Sequence, residues 1–103
     1  MTPLHKHPKT LLVVVAEAVL EKSLIRDAQR LGAQGWTLTE VRGANHEGVR
    51  EGAWEADRTI ELKLICEPKV ADAIAEQVLT QYAAHYSVAL YFAQVEVLRP
   101  ERY

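Results

Sequence analysis

The fold is decided by the stretch Gly35-Trp36-Thr37-Leu38-Thr39-Glu40-Val41-Arg42-Gly43. Between the two glycines, apolar and polar residues alternate, which is the pattern of a β-strand with one exposed face. Glycines are typical turn residues, and here they stand at both ends of the pattern. We therefore predict a strand over residues 36–42 and assign the remaining elements outward from it.

Upstream of this strand, the sequence predicts another strand followed by a helix. Residues 10–16 are almost all apolar, which is typical of a strand that is covered on both faces. Residues 19–31 have an apolar face at helical spacing. Gly32 follows this helix and suits a left-handed cap. The apolar face holds Leu20, Leu24, Ala28 and Leu31, and the solvent side holds Glu21, Lys22, Arg26, Asp27, Gln29 and Arg30.

Downstream of the strand, residues 43–57 are polar, contain three glycines and show no periodic pattern. A loop of about fifteen residues is uncommon in a compact domain and is usually functional. Alternating residues then predict a third strand over residues 58–66, and Pro68 suits the first turn of a second helix. A fourth strand over residues 87–98 precedes a tail of residues 99–103. The apolar stripe of the second helix consists of Val70, Ile74, Val78 and Tyr82.

The element order β-α-β-β-α-β predicts a ferredoxin-like α+β fold in a single domain. Because crossovers are right-handed, the antiparallel sheet has the strand order fourth, first, third, second, with both helices on one face. Residues 10–103 make up the domain, and residues 1–9 are expected to be a flexible N-terminus. The first and fourth strands are apolar on both faces, so the uncovered face would expose a large apolar patch. We therefore expect another subunit to cover it.

Composition and charge exclude several classes of function. The chain has 103 residues and a formal net charge of −2, whereas nucleic-acid-binding domains and polybasic membrane anchors are usually basic. The single cysteine, Cys66, excludes an internal disulfide and a multi-cysteine zinc site. The apolar run at residues 11–16 is too short to span a bilayer, and no secretory cleavage site follows it. These features favour a cytoplasmic protein.

The sequence carries no catalytic motif, and we expect that the protein is not an enzyme. Neither serine lies in a nucleophile elbow, and the glycine-containing loop lacks the Gly-Lys of a phosphate-binding loop. We interpret His5 and His7 as solvated residues of the N-terminus. His46 is either a solvated loop residue or a ligand and pH sensor, and His85 either caps the second helix or lines a cleft. Cys66 is expected to be buried and inert.

The second-strand stretch resembles the corresponding strand of the PII signal-transduction proteins, where Gly-x-Thr-x-Thr-Glu-Val-Lys/Arg-Gly leads into a long T-loop. The order of the other elements agrees from about residue 10 to residue 102. The short loop and the lack of further C-terminal elements are similar to the PII-like branch linked to inorganic carbon uptake and carboxysomes. The resemblance implies a homotrimer with its sheets packed inside, adenine nucleotides bound between subunits, and a T-loop, residues 43–57, that docks onto a partner.

The resemblance also implies which residues bind the nucleotide. The stretch that lines the adenine corresponds to Gly35, Trp36 and Thr37, and a threonine hydroxyl can both donate and accept a hydrogen bond. Arginines at the C-terminus bind phosphate, because the guanidinium fork holds two oxygens at once. The other nucleotide-binding candidates are Gly43 at the loop base, Leu64 and Ile65 beside the base, His85 in the turn before the last strand, and Arg99 and Arg102 at the phosphates. Candidates for anion binding or loop switching are His46, Arg50, Trp54 and Arg58.

Two departures from the family pattern bear on the ligand. The family's turn before the last strand is rich in glycine and carries a lysine over the phosphates, whereas residues 82–87 here contain neither. Because a glycine-free turn offers fewer backbone donors, we expect AMP or ADP to be favoured over ATP, with no metal required. Pro100 and Glu101 interrupt the usual Arg-x-Arg. The branch resemblance further implies bicarbonate as a ligand and a membrane bicarbonate transporter as a partner.

Two other functions remain open at this level. A small dimeric ferredoxin-like enzyme would need an acid–base or metal pair, for which the apolar strand faces offer little. A trimeric metal-tolerance protein of similar fold would bind copper, with Cys66 and His46 as candidate ligands. An RNA-recognition module has the same element order but needs exposed aromatic residues on its central strands. The first and third strands here carry no aromatic residue.

Overall fold

The computed structural model describes residues 3–42, 44–45, 48–49 and 58–103. The main strands are β1 (His7–Glu17), β2 (Thr37–Val41), β5 (Thr59–Cys66) and β6 (Val88–Val97), and the helices are α1 (Glu21–Arg30) and α2 (Pro68–Gln81). Two short strands after β2, β3 (Ala44–Asn45) and β4 (Gly48–Val49), pair with each other. The main sheet is antiparallel with the order β2-β5-β1-β6. The predicted ferredoxin-like α+β fold and its strand order are therefore confirmed.

The core lies between the two helices and one face of the sheet, which we call the helix face. Alternate residues of β1 and β5 point to this side and are at most 2% exposed. Burial of this apolar surface is the main force that folds the chain. The sheet contributes Leu12, Val14, Ala16, Ile60, Leu62, Leu64 and Cys66, and the helices contribute Leu24, Ala28, Ala71, Ile74, Ala75 and Val78.

The intervening strand residues point to the other side of the sheet, which we call the open face. There Val13 of β1 lies between Lys63 of β5 and Tyr91 of β6, and Leu11 and Val15 share its side of the strand. None of these residues belongs to the helix-side core. The described residues provide no helix or second sheet to cover the open face. The apolar residues of β1 and β6 on this face lie beside the ion pair of Lys63 with Glu61, and Val13 is only 1% exposed, so the large exposed apolar patch and the subunit that covers it stay predictions.

Several boundaries differ from the sequence prediction. β1 begins at His7, three residues earlier than predicted, because β6 is long enough for Val97 to pair with His7. Lys9, within the segment expected to be flexible, is only 7% exposed and forms an ion pair with Glu67. The first turn of the predicted helix is a separate 3-10 turn, Ala18–Leu20. The β3–β4 pair lies in a segment for which the sequence predicts no periodic structure.

Gly32 and Asp27 show where local sequence rules succeed and fail in α1. The predicted left-handed cap is confirmed, because Gly32 has a φ of +116°. The prediction that Asp27 faces solvent is wrong, because the residue is 4% exposed and forms hydrogen bonds with side chains of α2 and of the turn that follows it. No helix in the described ranges combines the length and the apolar character needed to cross a bilayer.

Candidate functional site

The strand register divides the candidate residues between two ends of the sheet. At one end β1 and β2 begin and β5 and β6 finish, and we call it the arginine end because Arg99 and Arg102 follow β6 there. At the other end, which we call the loop end, β2 leads toward residues 43–57. The ends are staggered, because Thr37 is level with Val13 and Lys63, about six strand residues or roughly 20 Å short of the His7–Val97 pair where β1 begins and β6 ends.

The predicted adenine-lining stretch lies at the arginine end and is open to solvent. Trp36 is 41% exposed, and Thr37, the first residue of β2, is exposed beside Lys63 of β5. A Cβ atom added at Gly35 would meet no other atom within 4 Å. A flat ligand could therefore approach this stretch without displacing part of the chain.

Leu64 and Ile65, which are predicted to lie beside the base, point to opposite faces of the sheet. Leu64 is 0% exposed within the helix-side core, so its side chain cannot line a ligand site, and only its backbone is available. Ile65 lies on the open face opposite Leu11 and is half-buried. That Leu64 and Ile65 lie beside the base stays a prediction, which Leu64 could meet only through its backbone.

The C-terminal arginines follow β6 in a short 3-10 turn, Pro100–Arg102. The Arg99 guanidinium lies 3.4 Å from the Glu101 carboxylate, measured from Nε to Oε1, and both side chains are exposed. Three strand spacings, about 14 Å, separate β2 from β6 across the sheet. One chain therefore does not gather Thr37 and Arg99 into a single pocket.

At the loop end, Arg58 precedes β5 and joins it to β2. Its guanidinium lies 2.9 Å from the Glu40 carboxylate, and its carbonyl oxygen accepts a hydrogen bond from the Ala18 N–H at 2.8 Å. Arg58 is thus tied to the base of the loop. The other loop candidates, Gly43, His46, Arg50 and Trp54, lie outside the described residues.

The turn between α2 and β6, residues 82–87, already uses several of its own backbone donors. The Tyr82 carbonyl oxygen accepts hydrogen bonds from the N–H groups of His85 at 3.1 Å and Tyr86 at 3.0 Å. The Ser87 N–H donates to the Glu17 carboxylate at 2.6 Å. A phosphate at this turn would have to displace these acceptors. The His85 side chain is exposed.

A buried carboxylate fixes the start of this turn, and sequence analysis missed it. The Tyr82 hydroxyl donates to Asp27 Oδ2 at 2.5 Å, and the Gln77 side-chain amide lies 3.4 Å from the same oxygen. Burial acts to raise the pKa of Asp27, but the hydrogen bonds from Tyr82 and Gln77 and the charge of Arg26 outweigh it, so the pKa is lowered. Burial and the neighbouring Asp27 raise the pKa of Tyr82.

Of the two candidate copper ligands, Cys66 belongs to the described residues and His46 lies outside them. Among the residues that the structure describes, no three histidine, cysteine, aspartate or glutamate side chains cluster as a metal site. Cys66 is 2% exposed, as predicted, and burial followed by the charge of Glu67 raises the pKa of its thiol, against an opposing effect of Lys9. A raised pKa lowers the fraction of reactive thiolate.

A family model and one solved structure identify the family, and further solved structures share the fold. Residues 9–102 match the family model of nitrogen regulatory protein P-II. A PII-like signalling protein of Thermus thermophilus is 37% identical, with 97% of this chain and 99% of that chain covered and a TM-score of 0.84. CPII of Thiomonas intermedia, bound to ADP, AMP and bicarbonate, is 19% identical, with 97% of each chain covered and a TM-score of 0.86. A second CPII structure, with ADP and bicarbonate, is 18% identical, covers 97% of this chain and 98% of that chain, and has a TM-score of 0.85.

Proposed function

Because this chain belongs to the nitrogen regulatory protein P-II family, we propose that it is a regulatory protein controlled by adenine nucleotides. AMP and ADP bind in the clefts between subunits of a homotrimer and are preferred to ATP. Residues 43–57 act as a T-loop that changes state with the ligand and docks onto a partner. The protein works as a binding switch, without catalytic turnover.

The observation that carries this proposal is that candidates from β2, β5 and β6 all lie toward the arginine end, at different positions along the sheet. Gly35, Trp36 and Thr37 begin the β2 region there, Ile65 lies near the end of β5, and Arg99 follows β6. An exposed ring and hydroxyl suit a base, and a guanidinium suits a phosphate. These are the two chemical halves of a nucleotide.

A homotrimer is the arrangement that would complete such a site. The two halves stand on opposite edges of one sheet, so a neighbouring copy has to supply one of them. The open face supports the same arrangement, because Tyr91 is 52% exposed there and Leu11 and Val15 are only partly buried, so a second layer would cover further apolar surface. Burial of such a surface contributes roughly 25 cal/mol per Å².

The preference for AMP and ADP over ATP rests on the turn at residues 82–87. Three of its N–H groups already donate to acceptors of the chain itself, one of them a carboxylate. Each further phosphate therefore finds few free backbone donors there. CPII, whose structure contains ADP, AMP and bicarbonate, has the same fold. We extend this ligand set to the present chain, with bicarbonate as a second effector.

The T-loop switch requires that a ligand prefer one loop state, because a ligand shifts an equilibrium only by its differential affinity. Arg58 and Glu40, which lie close to the two ends of residues 43–57 in the sequence, form an ion pair with each other. We propose a bicarbonate transporter of the membrane as the partner that the loop contacts from the cytoplasm. This would place the protein in the inorganic-carbon branch of the family.

The test is calorimetric titration of the purified protein with AMP, ADP and ATP, each with and without bicarbonate. We expect one site per subunit, tightest for AMP or ADP. Thr37→Val should weaken binding by about threefold to tenfold, because one hydrogen bond contributes roughly 0.5–1.5 kcal/mol. Limited proteolysis in residues 43–57, with and without the nucleotide, reports the loop switch.

Thr39→Val is the matched control, because Thr39 is exposed on the same strand and the same face, two residues farther from the arginine end. It should bind as the wild type does. Absence of binding for all three nucleotides would overturn the proposed function. Equal losses in the two variants would remove Thr37 from the site.

A further inference from the structure

The C-terminal tail has a defined geometry that the sequence pattern does not predict. After β6 the chain forms the 3-10 turn Pro100–Arg102. The Arg102 N–H donates to the Arg99 carbonyl oxygen, and the Tyr103 N–H to that of Pro100, both at 3.1 Å. Proline at the first position restricts φ and favours the start of such a turn. The tail is therefore a closed turn and not an extension of the strand.

This turn joins the backbones of Arg99 and Arg102 and places the Glu101 carboxylate beside the Arg99 guanidinium. In an extended strand, residues two apart share a face, whereas in a 3-10 turn residues three apart align. Arg99 and Arg102 are three apart and are joined by the hydrogen bond that closes the turn. Glu101 lies between them, and its carboxylate is 3.4 Å from Nε of Arg99. Within the described part of the chain, no carboxylate forms an ion pair with Arg102.

We propose that Glu101 determines how many phosphates the site accepts, by reducing the charge of this arginine pair. The two guanidinium groups carry a combined charge of +2, and Glu101 lowers the local sum to +1. This inference rests on the proposed function and names a specificity residue within it. Arg99 and Arg102 attract the phosphate nearest the ribose, and Glu101 opposes the charge that each additional phosphate brings.

The physical basis is competition for one guanidinium. An arginine side chain has five N–H donors, and the pairing through Nε leaves its terminal amino groups free for a phosphate. The arriving anion also meets the Glu101 carboxylate, and repulsion rises with the number of negative charges from AMP to ADP to ATP. Both side chains are about two-thirds exposed, at 69% and 66%, so the effect is moderate and depends on salt.

The experiment is titration of the full chain and of the variant Glu101→Gln with AMP, ADP and ATP at low salt. Glutamine keeps the size of the side chain and removes its charge. We expect ATP affinity to rise by up to about fivefold relative to AMP affinity, with ADP between them, as for an exposed ion pair. The gain should shrink at about 1 M salt, where the screening length is roughly 3 Å.

Glu76→Gln is the matched control, because Glu76 is an exposed residue of α2 and its replacement changes the net charge equally. The ratio of ATP to AMP affinity should stay at the wild-type value in this variant. A double-mutant cycle with Arg99→Gln adds a second readout. If Glu101 acts through Arg99, the selectivity gain of Glu101→Gln disappears when Arg99 is replaced.

The outcomes separate the two proposals. If the wild type and all variants bind no adenine nucleotide, the proposed function fails and this inference fails with it. If the wild type binds but Glu101→Gln raises the affinities for AMP and ATP by the same factor, or leaves the ratio unchanged as Glu76→Gln does, only the role of Glu101 is wrong. Persistence of the gain without Arg99 would also overturn it.

Discussion

The helix face and the open face of the sheet are built from the same strands, yet the chain covers only one of them. On β1, Leu12 and Val14 pack against the helices, while Leu11 and Val15, the next residues along the strand, point away. On β6 the contrast is weaker, because Leu90 packs against the core and Tyr91 on the open face is 52% exposed, but Phe92 on the helix side is also 47% exposed. The difference shows that packing on the helix face stabilises the fold of the single chain. We propose that the open face serves assembly.

The largest expected effect comes from removing a side chain of the helix face. Leu62 is 1% exposed at the centre of the core, so Leu62→Ala leaves a cavity and should lower the free energy of unfolding by about 2–5 kcal/mol. Urea denaturation at a fixed protein concentration measures this loss. Leu79→Ala, at a 57% exposed position of α2, should change the same quantity by less than about 0.5 kcal/mol. Equal costs at the two positions would contradict the placement of the core.

A charge on the open face should instead affect assembly. Tyr91→Glu introduces a carboxylate beside Val13, and loss of an aromatic residue that acts as a hot spot of an interface costs at least about 2 kcal/mol. The mass in solution, measured by light scattering at micromolar concentration, should fall from three chains toward one while the circular dichroism of the fold is retained.

The control for this variant is Leu79→Glu, because Leu79 has similar exposure but lies on α2, away from the open face. It should leave the mass at three chains. A trimer that survives Tyr91→Glu would show that another surface holds the subunits together. The open face would then have no role in assembly.

The fold could be predicted because its signals are local and repeated. Alternation along β2 and β5, the continuous apolar run of β1 and the stripe of α2 identify the elements, and the rule on crossover handedness then limits their order. Gly32 could be assigned because the cap depends on a single residue. Boundaries were less predictable: the start of β1 at His7 depends on how far β6 continues, which is a long-range property.

The candidate site was less predictable, because its contacts join residues far apart in the sequence. The helical spacing of α1 alone predicts that Asp27 faces solvent. Its hydrogen-bond partners, Gln77 and Tyr82, are 50 and 55 residues away in the sequence, so the local pattern does not reveal them. The side chain of Leu64, a candidate neighbour of the base, points into the core, which the sequence alone does not indicate. The pairing of Glu101 with Arg99 depends on the turn at Pro100, which an Arg-x-Arg pattern does not anticipate.

The smallest of these effects concerns Asp27, a charged side chain buried on the helix side of the sheet. A hydrogen bond to a charged group contributes about 1.5–3 kcal/mol, so Asp27→Asn should lower the free energy of unfolding by about that amount at neutral pH. Asparagine has nearly the same volume, which separates loss of charge from loss of packing. Urea denaturation across a series of pH values measures both the loss and its pH dependence.

The sign of the pH dependence follows from the lowered pKa of Asp27. A folded-state pKa below the ordinary aspartate value of about 3.9 stabilises the protein above that pH, and the contribution is lost as the pH falls through the folded-state pKa. The raised pKa of Tyr82 acts in the opposite direction. Its contribution to stability is present below about pH 10 and is lost as the pH rises through the folded-state pKa. Asp27→Asn should therefore lose stability less steeply than the wild type below about pH 4. Parallel acid profiles would mean that the buried carboxylate does not stabilise the helix face through its charge, and the contrast with the open face would rest on apolar packing alone.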